Sequence, residues 1–167
     1  MTEPAVPGHD EAQRLHELLL ARGETLAVAE SLTGGALGAA LTAVPGVSAT
    51  FRGGVVAYAT DLKAALLGVD AGLLSERGPV DADVAAAMAA GARARLGATY
   101  GVATTGVAGP DAQAGHASGE VHLAVSGPGG TRRERLQLAG DRAAVRAATV
   151  RRALLLAAEV VTGEADD

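Results

Sequence analysis

Among the 167 residues, a serine, a lysine and a tyrosine are the groups best suited by type and spacing to covalent chemistry. Ser31 lies in Glu30-Ser31-Leu32-Thr33-Gly34-Gly35, where the strand-like run Thr25–Glu30 gives way to a Gly-rich turn and then a helix. A hydroxyl at such a junction stands above the sheet, close to backbone N–H groups at a helix N-terminus. Those donors suit an anionic ligand or the oxyanion of a tetrahedral intermediate. The spacing is not that of a G-x-S-x-G elbow, and Ser31 and Thr33 could equally serve as helix caps.

A serine becomes a useful nucleophile only when a base takes its proton. Lys63 is the one lysine among fourteen basic residues, the others being arginine. A lysine amine can be brought toward neutrality by burial or by a nearby cation. Arginine stays protonated and cannot replace it as a base. Tyr58 precedes Lys63 by five residues across a strand-to-helix junction, so both side chains could enter one crevice. There the phenol would relay or orient the proton. The structural alternative is a solvated lysine on a helix and a tyrosine at a sheet end.

Other candidates carry less pattern. His9, His16, His116 and His122 have no motif around them, and ordinary structural or surface roles account for them. Thr104 to Pro110 is a Gly-rich turn able to hold a phosphate or carboxylate, but it is neither a P-loop nor a G-x-G-x-x-G fingerprint. Arg142 and Arg146, one helical turn apart, could reach an anion or simply face solvent. With no cysteine, disulfides, thiolate zinc sites and cysteine nucleophiles are excluded, and no metal or cofactor is indicated.

The elements that would position these residues follow from periodicity and breakers. Helices are predicted over 10–22, from about 35 to 42, over 61–67, from an Asp81 cap to Gly97, and from 142 to about 161, after an Asp141 cap. Strands are predicted over 25–30, 51–59, 100–105, 120–126 and 131–138, the last two joined by the hairpin Gly127-Pro128-Gly129-Gly130. Gly53 and Gly54 mark a bulge or a close backbone approach. A polar loop is expected between Gly68 and Asp81, a surface loop over 111–118, and a fraying tail beyond Val161. Helices alternate with strands before a late hairpin. This predicts an α/β fold, a single three-layer domain over 1–167 with its ordered core at about 10–162 and a mixed sheet covered by helices on both faces.

Half the residues (49%) are hydrophobic, enough for one sizeable core, and the formal charge of −5 argues against gripping nucleic acid. Three aromatics leave little for base stacking. The N-terminus is acidic without an apolar signal region, and no apolar run approaches the ~20 residues of a membrane span. A cytoplasmic protein without membrane or nucleic-acid partners is expected.

Four ordered stretches add a resemblance: AESLTGG (29–35), VPGVSATFRGGVVAYATDLKAALLGV (44–69), GARARLGATYGVATTGVAGP (91–110) and GDR (140–142). Together they resemble the CinA carboxy-terminal domain family, the PncC-type nicotinamide-nucleotide amidohydrolases. The match in order and spacing runs from about residue 10 to residue 160. The resemblance implies hydrolysis of the carboxamide of nicotinamide mononucleotide to nicotinic acid mononucleotide and ammonia, without metal or cofactor. It places the nucleophile on Ser31, the base on Lys63 and the active-site tyrosine on Tyr58. Substrate contacts are expected from Thr33, Gly34 and Gly35, whose amides would hold the oxyanion, from Thr105, Gly106 and Gly109, and from Arg142. Full-length CinA proteins carry a further N-terminal domain, and a standalone version is expected here.

The chain departs from the family pattern in three places. Leu32 stands where a cysteine is usual. Tyr58-Ala59-Thr60-Asp61-Leu62-Lys63 replaces Tyr-Ser-Asn-Glu-x-Lys, and His116-Ala117-Ser118-Gly119 replaces a loop ending Lys-Pro-Val-Gly. Two other classes of function stay open on the sequence. One is a nucleotide-binding or regulatory module without turnover; the other is an interaction protein in competence or DNA damage. An Ala-rich exterior fits a homo-oligomer, a dimer in particular.

Overall fold

The computed structural model describes residues 5–164 and consists of one five-stranded mixed sheet with helices on both faces. Its elements are α1 (His9–Arg22), β1 (Leu26–Glu30), α2 (Ala36–Thr42), a 3-10 turn (Val47–Ala49), β2 (Phe51–Val56), α3 (Thr60–Leu67), α4 (Ala71–Arg77), α5 (Ala82–Arg95), β3 (Tyr100–Gly106), β4 (Glu120–Gly127), β5 (Gly130–Gln137) and α6 (Arg142–Thr162). The strands lie in the order β2-β1-β3-β4-β5. β1 runs parallel to both β2 and β3, whereas β4 and β5 form the antiparallel hairpin. The α/β three-layer architecture predicted from the alternation of elements is the one observed.

The two faces of the sheet are sorted by strand alternation. Leu26 and Val28 of β1 face a core built with α1, α2 and α6, where Leu15, Leu19, Leu37, Leu154 and Leu156 are buried. Ala27 and Ala29 face the other way, onto α5, with Leu67, Met88 and Ala103. On that second face small side chains bring the layers close. A methyl added at Gly91 of α5 would lie 2.0 Å from the Leu67 carbonyl oxygen, so glycine is required for α3 to reach α5. In β2 the pairing slips at Arg52: Leu26 faces Phe51 but Ala27 faces Gly53, and a side chain at Gly54 would meet Val28 at 2.5 Å. The two glycines thus combine a bulge with a close approach.

Helix starts follow side-chain caps where the sequence supplies them. Asp81 accepts from the amides of Asp83 and Val84, and Asp141 from that of Ala144. The segment expected to be a loop between Gly68 and Asp81 contains α4, capped by Asp70 on Leu73. Its seven residues bury only Leu74, so no apolar period announces it. Strand β2 ends at Val56 rather than Ala59, because the chain must turn there to place Tyr58 and start α3. α6 continues to Thr162 before Gly163 ends it; residues 165–167 of the expected tail, like residues 1–4 of the acidic N-terminus, lie outside the described residues. Among the described residues no helix is long and apolar enough to cross a membrane.

The connection leaving β1 covers one face of the sheet and the connection entering β3 the other. A crevice therefore opens beyond the carboxyl ends of the parallel strands, where Ser31, Tyr58 and Gly106 follow or end β1, β2 and β3.

Candidate active site

The turn that carries Ser31 is held by the residue before it. Glu30 is 2% exposed, and its carboxylate accepts from the amides of Leu37 (2.8 Å), Gly38 (3.1 Å) and Gly35 (3.3 Å) and from the Thr33 hydroxyl (2.6 Å). A buried carboxylate is tolerable only with its acceptor capacity filled, and the start of α2 fills it. Thr33 is also hydrogen-bonded to Thr104 at 2.9 Å, tying the turn to β3. The Ser31 amide donates to the Thr104 carbonyl, extending the ladder by one residue before the chain leaves the sheet.

Lys63 approaches from α3 and is 1% exposed. Its Nζ lies 3.0 Å from Ser31 Oγ, 2.8 Å from the Ala57 carbonyl and 3.4 Å from the Tyr58 carbonyl. Burial lowers its pKa from 10.5 to about 8. The two carbonyls can only accept, so they claim two N–H bonds. The third tetrahedral position on nitrogen points at Ser31. In the ammonium form that position donates to Oγ; in the neutral amine it is the lone pair facing the serine proton. The arrangement can deprotonate a serine without histidine or carboxylate.

The remaining predicted residues divide. Tyr58, Thr105, Gly106 and Arg142 line the crevice with Ser31 and Lys63. The Thr105 hydroxyl donates to the Pro79 carbonyl at 2.6 Å. Arg142 donates to the Gly109 carbonyl (2.9 Å) and the Tyr58 phenol (3.0 Å), which brings three expected residues into one contact chain at the mouth. The Tyr58 side chain is 55% exposed and has no hydrogen bond to Ser31 or Lys63, so it is not placed as the proton relay expected from spacing. Its main-chain carbonyl, not its phenol, touches Lys63.

The expected oxyanion donors also need revision. The Gly34 amide is used by the Ser31 carbonyl and the Gly35 amide by Glu30, and neither glycine lines the crevice; of the three expected donors only Thr33, itself buried, keeps an unbonded amide. The amides of Leu32 and Thr33 are the ones without a hydrogen bond, and Leu32 does line the crevice.

Sequence reasoning missed Glu30 and underrated Arg146. An acidic residue closing the apolar strand LAVAE just before a Gly-rich turn was the available signal for Glu30. Arg146 is half-buried and donates to the carbonyls of Leu32 (3.1 Å) and Thr33 (2.8 Å). His122 has the carboxylate partner that spacing did not assign, Glu120 two residues before it on the same strand face. Burial alone would raise the Glu120 pKa, but hydrogen bonds from His122 and His116, with Arg135 nearby, hold it below the usual range. Among the described residues no group of three or more His, Asp or Glu side chains is placed to hold a metal ion.

The class the fold and site define is an open α/β sheet domain with a serine and a buried lysine in contact at its strand ends. Comparison with known proteins narrows it. Residues 9–161 match the CinA C-terminal domain. A CinA-like protein of Frankia casuarinae is 55% identical over 146 residues, covering 87% of this chain and 34% of that protein. One from Gloeobacter violaceus is 49% identical over 152 residues, covering 89% and 36%. The chain thus spans about a third of the length of these curated relatives. Among solved structures, a competence-damaged protein (CinA) superfamily protein from Klebsiella pneumoniae superposes with a TM-score of 0.90 at 33% identity, covering 93% of this chain and 98% of that one. The competence/damage inducible protein CihA from Agrobacterium tumefaciens gives 0.88 at 35% identity, covering 95% and 99%. The chain belongs to the CinA C-terminal domain family.

Proposed function

We propose that the protein hydrolyses the carboxamide of nicotinamide mononucleotide, with Ser31 as nucleophile and Lys63 as base. The observation that carries this reading is the 3.0 Å contact between Lys63 Nζ and Ser31 Oγ, made by a buried amine whose other partners are main-chain carbonyls. Substrate identity rests on the family resemblance. A consistent local feature is Arg142: its two partners are neutral oxygens, so its charge at the crevice mouth is available to a phosphate.

In the first step neutral Lys63 takes the Ser31 proton as Oγ bonds to the carboxamide carbon, and the carbonyl electrons move onto oxygen. The Leu32 and Thr33 amides receive that oxyanion. Collapse breaks the C–N bond, and the Lys63 ammonium returns its proton to the departing ammonia. A water then attacks the acyl ester, giving its proton to Lys63. Breaking the ester bond returns that proton to Ser31 Oγ and leaves the free acid. Amide and water are consumed, and acid and ammonia are produced.

The test is ammonia release from nicotinamide mononucleotide by the wild type, Ser31→Ala and Lys63→Ala. Activity in the wild type and its loss in both variants is the expected result. Full activity in either variant removes the dyad, and an inactive wild type removes the substrate.

A further inference from the structure

We infer that Arg146 is a positioning residue that aims the Thr33 backbone amide of the nucleophile turn at the oxyanion; this rests on Ser31 being the nucleophile. Within the turn, the Ser31 carbonyl is taken by the Gly34 amide and the Thr33 carbonyl by the Ala36 amide. The Leu32 carbonyl has no main-chain partner, and its hydrogen bond comes from Arg146 Nε at 3.1 Å. Arg146 Nη2 bonds the Thr33 carbonyl at 2.8 Å, and the guanidinium packs over Gly34, whose added methyl would lie 3.6 Å from Nη2.

A trans peptide is planar, with its C=O and N–H pointing in opposite directions. Gripping the Leu32 carbonyl therefore directs the Thr33 N–H away from Arg146. Gripping the next carbonyl fixes the adjoining plane as well. The rigid fork of a guanidinium holds the two neighbouring carbonyls through two separate nitrogens, Nε and Nη2; a lysine would have to bridge both from one atom. The charge also polarises the Leu32–Thr33 peptide and strengthens its N–H as a donor. Without this clamp the Leu32 carbonyl has no hydrogen bond, and the Thr33 amide in the same peptide plane loses its fixed aim; the Leu32 amide lies in the Ser31–Leu32 plane, which the Gly34 amide holds.

The test uses the intact chain, with Arg146→Ala and Arg146→Lys. Three measurements are made: kcat and KM on nicotinamide mononucleotide, the rate of Ser31 phosphonylation by a fluorophosphonate, and the thermal midpoint. The phosphonyl oxygen needs the same amides as the carboxamide oxyanion. Arg146→Ala is expected to lower kcat by about a hundred-fold, the usual cost of an oxyanion donor, with KM near wild type. Phosphonylation should slow in parallel, added methylguanidinium should restore part of both rates, and Arg146→Lys should be intermediate. A folded Arg146→Ala with wild-type kcat and phosphonylation rate overturns the inference, as does a loss confined to KM. If Arg146→Ala fails to fold, Arg146→Lys decides: unchanged kcat and phosphonylation overturn the inference. A wild type that is phosphonylated on Ser31 but inert toward the nucleotide removes the substrate reading alone, and the phosphonylation rates still decide the role of Arg146. A wild type that does neither removes the nucleophile, and this inference with it.

Discussion

Lys63 Nζ donates to Ser31 Oγ at 3.0 Å, and both of its other hydrogen-bond partners are main-chain carbonyls. No carboxylate is among them. The proton on Lys63 is therefore held by neutral dipoles on a side chain with almost no exposed surface, and burial lowers the pKa to about 8. A base of this kind is ready near neutral pH, and several measurable properties depend on it.

Activity should follow the titration of Lys63. Only the neutral amine can accept the serine proton, so kcat/KM should climb about ten-fold per pH unit on the acid side and level off above about 8. Steady-state ammonia release from pH 6 upward checks this. A rate that is flat across that range would show that another group is the base.

The same burial should lower stability. In the unfolded chain Lys63 binds its proton up to 10.5, whereas in the folded chain it does so only up to about 8. Between these values the unfolded state binds more protons, so stability should rise with pH through that window; the full cost is present below it. The shift corresponds to about 3 kcal/mol, taken as an upper figure. Lys63→Met should thus be inactive yet more stable than wild type at pH 7, with the advantage disappearing at high pH. Urea unfolding at pH 7 and near pH 10 measures both effects, and a destabilised Lys63→Met would refute the account.

Glu30 should matter more than any contact with substrate would suggest. Its two oxygens take four donors, and glutamine offers only one acceptor oxygen while turning an NH₂ toward the amides of α2. Glu30→Gln should cost about 2 kcal/mol or more in unfolding free energy and lower kcat, because the Ser31 turn loosens. Unchanged urea midpoint and kcat would show the cap to be dispensable.

Arg142 and Tyr58 should separate in their kinetics. Arg142→Ala removes the unneutralised charge at the mouth, and KM for an anionic nucleotide should rise ten-fold or more, at about 1.4 kcal/mol per decade, with kcat less affected. Tyr58→Phe removes an exposed hydroxyl bonded to Arg142 and distant in contact from the reacting pair. Its effect on kcat should be small, about 1 kcal/mol or less. A collapse of kcat in Tyr58→Phe with KM unchanged would restore the phenol as a proton relay.

The sequence by itself determined most of the scaffold. Alternating periodicities, the Asp81 and Asp141 caps, and glycines at 53 and 54 are local or pairwise constraints, and they placed five strands and all the longer helices. It also singled out Ser31 and Lys63, because the lone lysine in an arginine-rich chain is a chemical exception visible without coordinates. Helix α4 escaped because two turns burying a single leucine leave no period to read. What only the tertiary structure decided is how polar groups far apart in the chain share hydrogen bonds. The Tyr58 phenol went to Arg142, the Gly35 amide to Glu30, and the Leu32 carbonyl to Arg146, 114 residues away. Spacing shows which groups can meet, but hydrogen-bonding capacity is finite. Each donor or acceptor engaged across the fold is removed from the chemistry expected of it; in the Ser31 turn the amides of Leu32 and Thr33 are the ones left unengaged.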